Sequence, residues 1–141
     1  MPAINFFTEE ADFELTNKQS TSDWVIAAIS SENFSYNSLN VIFCSDEYLH
    51  QINVDHLDHD YYTDIITFDN SEVENEVEGD LFISIDRVRD NASEHNVTFN
   101  EELHRVIIHG TLHLLGYNDK SDEDKIVMRE KENAYLSLQR F

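Results

Sequence analysis

The apolar positions along the chain follow two kinds of pattern. Short runs rich in branched and aromatic residues predict β-strands, because such side chains pack well on a pleated surface. Apolar residues spaced three or four positions apart predict helices with a buried face. The sequence therefore predicts strands over 4–7, 39–44, 63–68 and 81–85, and helices over about 22–32, from 46 onward, over about 86–96, 98–115 and 122–138.

Short polar residues mark the expected starts of these helices, because their side chains accept hydrogen bonds from the first backbone N–H groups. We expect caps at 21–23, Ser45, Asp86 and either Thr98 or Asn100. Asn53 is expected to loosen the second helix, which leads into a polar segment over 55–62.

The order of the elements predicts the fold class. Interleaved strands and helices are typical of an α+β fold, here with a four-stranded mixed sheet and about five helices. Residues 72–78 carry four glutamates, which predicts an exposed loop or hairpin connection. A length of 141 residues is enough for one hydrophobic core, so 1–141 is predicted to be a single domain.

The helix over 98–115 is apolar nearly all round, which predicts that it is buried at the centre of the fold. His109 and His113 lie four positions apart within it and share one face, about one turn apart. Neutral imidazoles in this arrangement can bind one metal ion. A buried histidine is more often an ordinary core residue, and spacing alone leaves both interpretations open.

Two glycines refine the metal interpretation. Gly116 follows the last apolar residues, where glycine commonly ends a helix in a left-handed conformation. The sharp turn that it permits would return Asp119 towards the histidines as a third ligand. Gly110 occupies the position at which zinc proteases carry a glutamate as general base, so the sequence argues against a peptidase of that class.

Composition narrows the classes of function. The chain has 9 basic and 29 acidic residues and a formal net charge of −20, which argues against broad binding to a phosphate backbone. The single cysteine, Cys44, lies in an apolar run and is predicted to be a buried thiol. No signal peptide or membrane span is evident, so we expect a cytoplasmic protein.

Three motifs together resemble one known family. The pattern H-G-x-L-H-L-x-G-Y at 109–117 is similar to the signature of the YbeY family of bacterial ribosomal RNA maturation factors. The segments T-D-I-I-T-F at 63–68 and G-D-L at 79–81 occur in that family's order and spacing. The resemblance extends from about residue 40 to the C-terminus.

This resemblance implies a single-domain α+β fold that binds one zinc ion per chain, with His109 and His113 as ligands at the catalytic centre. It also implies an endoribonuclease that acts on single-stranded RNA. Such an enzyme would process the 3′ end of small-subunit ribosomal RNA and take part in ribosome quality control. Its partners would be ribosomal RNA and ribosome-associated proteins.

The sequence departs from the family pattern at two positions. Asp119 stands where the family usually has a third histidine, and a carboxylate oxygen is a competent zinc ligand. Leu57 stands where the family commonly has an arginine, which would suit a phosphate group. The first change favours harder metal ions, and the second removes a positive charge from the expected active site.

Other residues complete the expectations. His59 is a candidate catalytic residue that contacts RNA or moves a proton, whereas Asp64 and Asp80 are expected to be structural. Two alternatives to the nuclease remain open at this point. One is a non-catalytic ribosome-assembly factor whose metal site is closed by Asn118, Asp122 or Asp124, and the other is a hydrolase of a different phosphorylated substrate.

Overall fold

The computed structural model describes residues 3–58, 60–139 and 141. It contains four strands and five helices, so the predicted α+β class and element order are confirmed. The strands are β1 (Ala3–Glu9), β2 (Ser35–Cys44), β3 (Ile65–Asp69) and β4 (Glu76–Ser84). The helices are α1 (Lys18–Ser31), α2 (Asp46–Leu57), α3 (Ile85–Glu94), α4 (Phe99–Leu114) and α5 (Asp122–Ser137).

The four strands form one mixed sheet, as the sequence predicts, and their order in the sheet is β1-β2-β4-β3. β1, β2 and β4 run parallel to their neighbours, and β3 pairs antiparallel with β4. β1 and β3 are therefore the edge strands. In the β3–β4 pair, Ile65 lies opposite Ile83 and Asp69 lies opposite Gly79.

Side chains alternate between the two faces of the sheet along each strand, and apolar residues pack on both faces. One face packs against α4 and contributes Val41, Phe43 and Leu81 to the main core. On the other face, Cys44 and Ile66 form a smaller cluster with Leu49 of α2. Cys44 is buried, as predicted from its apolar neighbours.

The burial of α4 places the predicted metal helix at the centre of the molecule. Leu103, Ile107, Ile108 and Leu112 are fully buried, so this helix is covered on most of its circumference. Its start is one of the two predicted alternatives, since the Thr98 hydroxyl accepts a hydrogen bond from the backbone N–H of Glu101.

Two predicted helix starts are wrong. α1 begins at Lys18, before the expected cap at 21–23, and Thr21 is a fully buried residue inside it. The start of α3 is capped by the Ser84 hydroxyl, which accepts from the N–H of Arg87. The carboxylate of Asp86 instead accepts from the N–H of Asp46, which joins α3 to α2.

Two further local predictions need correction. Asn53 does not loosen α2, because its side chain is buried and donates to the carbonyl of Tyr61 while the helix continues to Leu57. The acidic segment 72–78 is only partly a loop, because β4 begins at Glu76 and pairs there with Ser35 of β2. The Glu78 carboxylate accepts from the Asn37 amide, which lets a glutamate sit within a strand.

Candidate metal centre

α4 presents its two histidines on the side that faces α5 and the turn after the helix. His109 and His113 are each about one quarter exposed at the side chain, at 24% and 26%. Gly110 follows His109 in the chain, and its backbone lies against Ile65 of β3 and Leu81 of β4. A Cβ atom added to Gly110 would lie 2.6 Å from Ile65 Cδ1 and 2.9 Å from Leu81 Cδ2.

The turn that follows α4 returns the chain towards the histidines. The N–H of Tyr117 donates to the Leu112 carbonyl at 3.0 Å, and the N–H of Gly116 donates to the His113 carbonyl at 3.1 Å. This pair of bonds defines a Schellman motif, which requires a left-handed residue after the helix. Gly116 supplies that conformation with φ of 99°.

The turn brings Asp119 to both imidazoles, as the sequence predicts. The Nε2 atoms of His109 and His113 are 3.1 Å apart. The Oδ2 atom of Asp119 lies 3.4 Å from each of them. Asp119, at 42% side-chain exposure, forms the outer corner of the group.

The hydrogen bonds at the opposite ring nitrogens fix the orientation of both imidazoles. His113 Nδ1 lies 2.9 Å from the Tyr117 carbonyl oxygen, which can only accept, so this nitrogen carries the proton. His109 Nδ1 lies 2.7 Å from Glu132 Oε2 and donates to that carboxylate. Two nitrogen lone pairs and a carboxylate oxygen therefore converge on one point.

Glu132 of α5 is a buried carboxylate that holds His109. Burial opposes its ionisation, but hydrogen bonds from His109 and Arg105 outweigh burial and lower the pKa of Glu132 below its usual value. Burial also acts against a charge on His109, but Glu132 first, then Asp119 and Asp64, outweigh it and raise the pKa of His109. The local charges thus favour a cation at this point.

The dimensions of the group fit a tetrahedral metal ion. Zinc bonds to imidazole nitrogen and carboxylate oxygen are about 2.0–2.2 Å long, so tetrahedral geometry separates two ligand atoms by about 3.3–3.6 Å. The observed separations of 3.1 and 3.4 Å lie close to that range. Without a cation, three lone pairs would repel one another, and a proton or a metal ion removes that repulsion.

A second, partly buried network holds the turn that carries Asp119. The Tyr117 hydroxyl donates to Glu32 at 2.6 Å, and Lys131 donates to the same carboxylate at 3.0 Å. Tyr135 also donates to Glu32. Burial would raise the pKa of Glu32, but these hydrogen bonds and the Lys131 charge lower it overall. Tyr117 thereby links α1 to the carbonyl that orients His113.

The group opens on one side into a cavity of about 460 Å³. Leu57 and Tyr61 line this cavity, as do Asp64 and the strand β3. Burial, the strongest influence, raises the pKa of Asp64, against the opposing effect of His109 and of backbone N–H donors.

No further acidic, cysteine or histidine side chain among residues 3–58, 60–139 and 141 joins the three-residue group. The Asp124 carboxylate accepts instead from the N–H of Ser121 in the capping box of α5. The open fourth side therefore faces the cavity.

The remaining sequence candidates lie elsewhere. His59 lies outside the described residues. Asp80 accepts hydrogen bonds from Asn40 and Asn70 and does not line the cavity, in agreement with a structural role.

Sequence reasoning missed Glu132, which has no local motif. One signal was present, because Glu132 shares the buried face of α5 with Met128 and Tyr135. A carboxylate on an apolar face needs a partner, and that requirement points to a buried cation or donor.

Comparison with known proteins gives a consistent result. A family model described as Endoribonuclease YbeY matches residues 3–139. A Cytophaga hutchinsonii protein named Endoribonuclease YbeY is 55% identical over 138 residues, which cover 98% of this chain and 96% of that protein. A Flavobacterium johnsoniae protein of the same name is 52% identical over 132 residues, covering 94% of each chain.

A solved structure shares the fold. The solution structure of TM1509 from Thermotoga maritima matches with a TM-score of 0.68 at 28% identity, covering 96% of this chain and 87% of that one. Within the described part of the chain, none of the helices has the length and apolar character needed to cross a membrane.

Proposed function

The chain belongs to the endoribonuclease YbeY family of RNA-cleaving hydrolases, and we propose that it is a zinc-dependent endoribonuclease specific for single-stranded RNA. Residues 1–141 act as one catalytic domain in this proposal. The expected task is maturation of the 3′ end of small-subunit ribosomal RNA, together with ribosome quality control. Ribosomal RNA and ribosome-associated proteins are then its partners, in the cytoplasm.

One observation carries the metal part of the proposal. His109, His113 and Asp119 direct three lone pairs at one point, with separations of 3.1 and 3.4 Å between donor atoms. Two histidines and one carboxylate form a common ligand set of catalytic zinc sites, which leave a fourth position open. The cavity beside the group supplies that open side.

Each residue has a distinct part in this centre. His109 and His113 would bind the ion through Nε2, while Glu132 and the Tyr117 carbonyl hold their Nδ1 protons and prevent the rings from turning. Asp119 would bind through its carboxylate and add negative charge. The chemistry that such an ion supplies is Lewis acidity towards a phosphodiester and activation of water near neutral pH.

The negative charge of the substrate phosphate would be balanced mainly by the ion at this centre. Leu57 lines the cavity at the position where the sequence resemblance places an arginine, so the side chain offers no charge to a phosphate. His59 remains a candidate for contacting RNA or moving a proton, on the basis of the sequence. The open cavity favours catalysis over a purely structural metal, whose site would be closed by a fourth protein ligand.

The proposal is tested by metal content and RNA cleavage together. The purified protein is expected to contain one zinc ion per chain and to cleave a single-stranded RNA oligonucleotide in a reaction that a chelator abolishes and zinc restores. His113→Ala should lose both properties. His56→Ala is the matched control, because His56 is an exposed histidine outside the group.

Two results would contradict the proposal. Stoichiometric zinc in His113→Ala would remove the ligand assignment. Zinc that is bound without any cleavage of single-stranded RNA would favour the structural role in an assembly factor.

A further inference from the structure

The cavity beside the metal group has walls of two different kinds. At its base lie His109, His113 and Asp119. Its outer wall includes Leu57 at the end of α2 and Tyr61 before β3. A volume of about 460 Å³ is within the range of small-molecule sites in proteins.

The charges in the cavity are unfavourable for a phosphate group away from the metal centre. Outside the three-residue group, its lining includes the carboxyl group of Asp64, and within the described part of the chain it includes no lysine or arginine. A carboxyl group repels phosphate when ionised and offers no positive charge when protonated. The interior therefore suits an uncharged part of a nucleotide, with the phosphate placed at the proposed cation.

The outer wall carries apolar surface that the fold does not need for its own core. Leu57 is 39% exposed and Tyr61 is 55% exposed, and both line the cavity. The backbone of Tyr61 is fixed, because the buried Asn53 amide donates to its carbonyl at 2.8 Å. An exposed aromatic ring on a fixed backbone is a suitable platform for stacking.

The neighbouring Tyr62 is also exposed, at 43%, but its ring contacts residues that do not line the cavity. The Tyr62 ring stacks on His50 with centroids 4.4 Å apart, and the Arg87 guanidinium lies 5.4 Å from its centre. Its hydroxyl donates to Glu47. Because Tyr62 is absent from the cavity lining, it is a matched control for Tyr61.

We propose that this cavity is a base subsite, which takes one unstacked nucleobase against Leu57 and the Tyr61 ring while the adjoining phosphate reaches the His109 centre. This inference rests on the proposed function and deepens it. A base buried in a double helix is stacked on both faces, so only single-stranded RNA offers a base to this cavity at little energetic cost. Stacking of one base on an aromatic side chain typically contributes roughly 5- to 150-fold in affinity.

Binding of an uncharged nucleoside tests the subsite without any cleavage. We would titrate the ¹⁵N-labelled full chain with adenosine or uridine and follow backbone amide shifts by NMR. The largest shifts are expected at Leu57 and Tyr61, with millimolar affinity. Tyr61→Ala should weaken binding at least about 5-fold, whereas Tyr61→Phe keeps the ring and Tyr62→Ala leaves the cavity intact. Inorganic phosphate should not reproduce the shifts at Tyr61.

Several results would overturn the inference. One is that the nucleoside shifts only amide signals on another surface, such as the groove between α1 and α5 lined by Trp24 and Leu138, or shifts no signals at all. Another is that Tyr61→Ala and wild type bind the nucleoside with equal affinity. The folded state of each variant is read from the same spectrum, so a loss through unfolding is recognised directly.

A double-mutant cycle, which pairs Tyr61→Ala with removal of one base from the RNA, tests the subsite during turnover. An abasic residue is moved through a short single-stranded oligonucleotide, and KM is measured for each position. One position near the cleaved bond should raise KM for wild type but have little further effect on Tyr61→Ala, because both changes remove the same contact. Full additivity at every position contradicts the base subsite. Nucleoside binding without RNA cleavage would reject the proposed function alone, and cleavage without Tyr61 coupling would reject the subsite alone.

Discussion

The carboxylate of Glu132 gives the sharpest test of how the candidate centre is held. It accepts from His109 Nδ1 at 2.7 Å and from Arg105 at 2.8 Å, and its side chain is only 6% exposed. Glu132→Gln keeps the size of the side chain and removes its charge. The Gln amide can also donate to Nδ1, which would move the His109 proton to Nε2, where it blocks a metal ion.

The expected loss can be given a magnitude. Removing an outer hydrogen-bond partner of a ligand histidine typically lowers metal affinity about 10–100-fold, or about 1.4–2.7 kcal/mol. The burial of Glu132 places this variant towards the upper end. The measurement is zinc affinity by competition with a chromophoric chelator, with urea unfolding recorded in parallel to separate stability from metal binding.

Asn133→Ala serves as the control for that experiment. Asn133 accepts the other hydrogen bond of Arg105, at 2.9 Å, and does not touch His109. Its removal should leave zinc affinity unchanged within error. If Glu132→Gln lost stability but bound zinc like wild type, the carboxylate would serve Arg105 alone and the positioning argument would be refuted.

Three further predictions concern stability and reactivity. Gly110→Ala places a Cβ 2.6 Å from Ile65 Cδ1, and overpacking of this kind costs about 1–3 kcal/mol, while the gain in helix propensity returns about 1 kcal/mol. The free energy of unfolding, measured by urea titration, should therefore fall by up to about 2 kcal/mol. A variant more stable than wild type would contradict the close contact. Burial raises the pKa of Cys44 to about 12, so a thiol reagent should label native protein very slowly and unfolded protein rapidly. Burial opposes ionisation of Glu32, but its hydrogen bonds and the Lys131 charge hold its folded pKa below the ordinary, unfolded value. The stability that Glu32 contributes is therefore present above the unfolded pKa and is lost as pH falls through the folded pKa. The stability difference between wild type and Glu32→Gln should shrink on acidification.

The sequence predicts helices and strands well where one hydrophobic periodicity dominates, and it predicts helix starts less well where they depend on polar side chains. The helix that carries His109 and His113 is predicted correctly because its apolar residues surround it. The start of α1 is not, because the polar residues at 21–23 look like a cap and Thr21 is in fact buried. Ser84 rather than Asp86 caps α3, since the Asp86 carboxylate is engaged by the backbone of α2.

The candidate site likewise contains residues that the sequence predicts and residues that it does not. His109, His113 and Asp119 lie within 11 positions, so helix geometry and a glycine turn are enough to bring them together. Glu132 and Glu32 reach the site from other helices, and their partners are distant in the sequence. Only the packing of α1 and α5 around α4 defines these contacts, and no local pattern of residues encodes that packing.

The acidic character of the chain shapes what the centre can do. A formal net charge of −20 opposes the approach of RNA, and the cavity lining includes the carboxyl groups of Asp64 and Asp119. The proposed zinc ion would then be the main positive charge that a phosphate meets at the site. Attraction to the backbone would come from a single point, so the remaining affinity has to come from uncharged contacts. Leu57 and Tyr61 would offer such uncharged contacts to a base. An arginine at position 57, as the family commonly has, would instead have offered a positive charge to a phosphate. The replacement of that arginine by leucine is therefore consistent with the proposed binding of an unstacked base in this cavity.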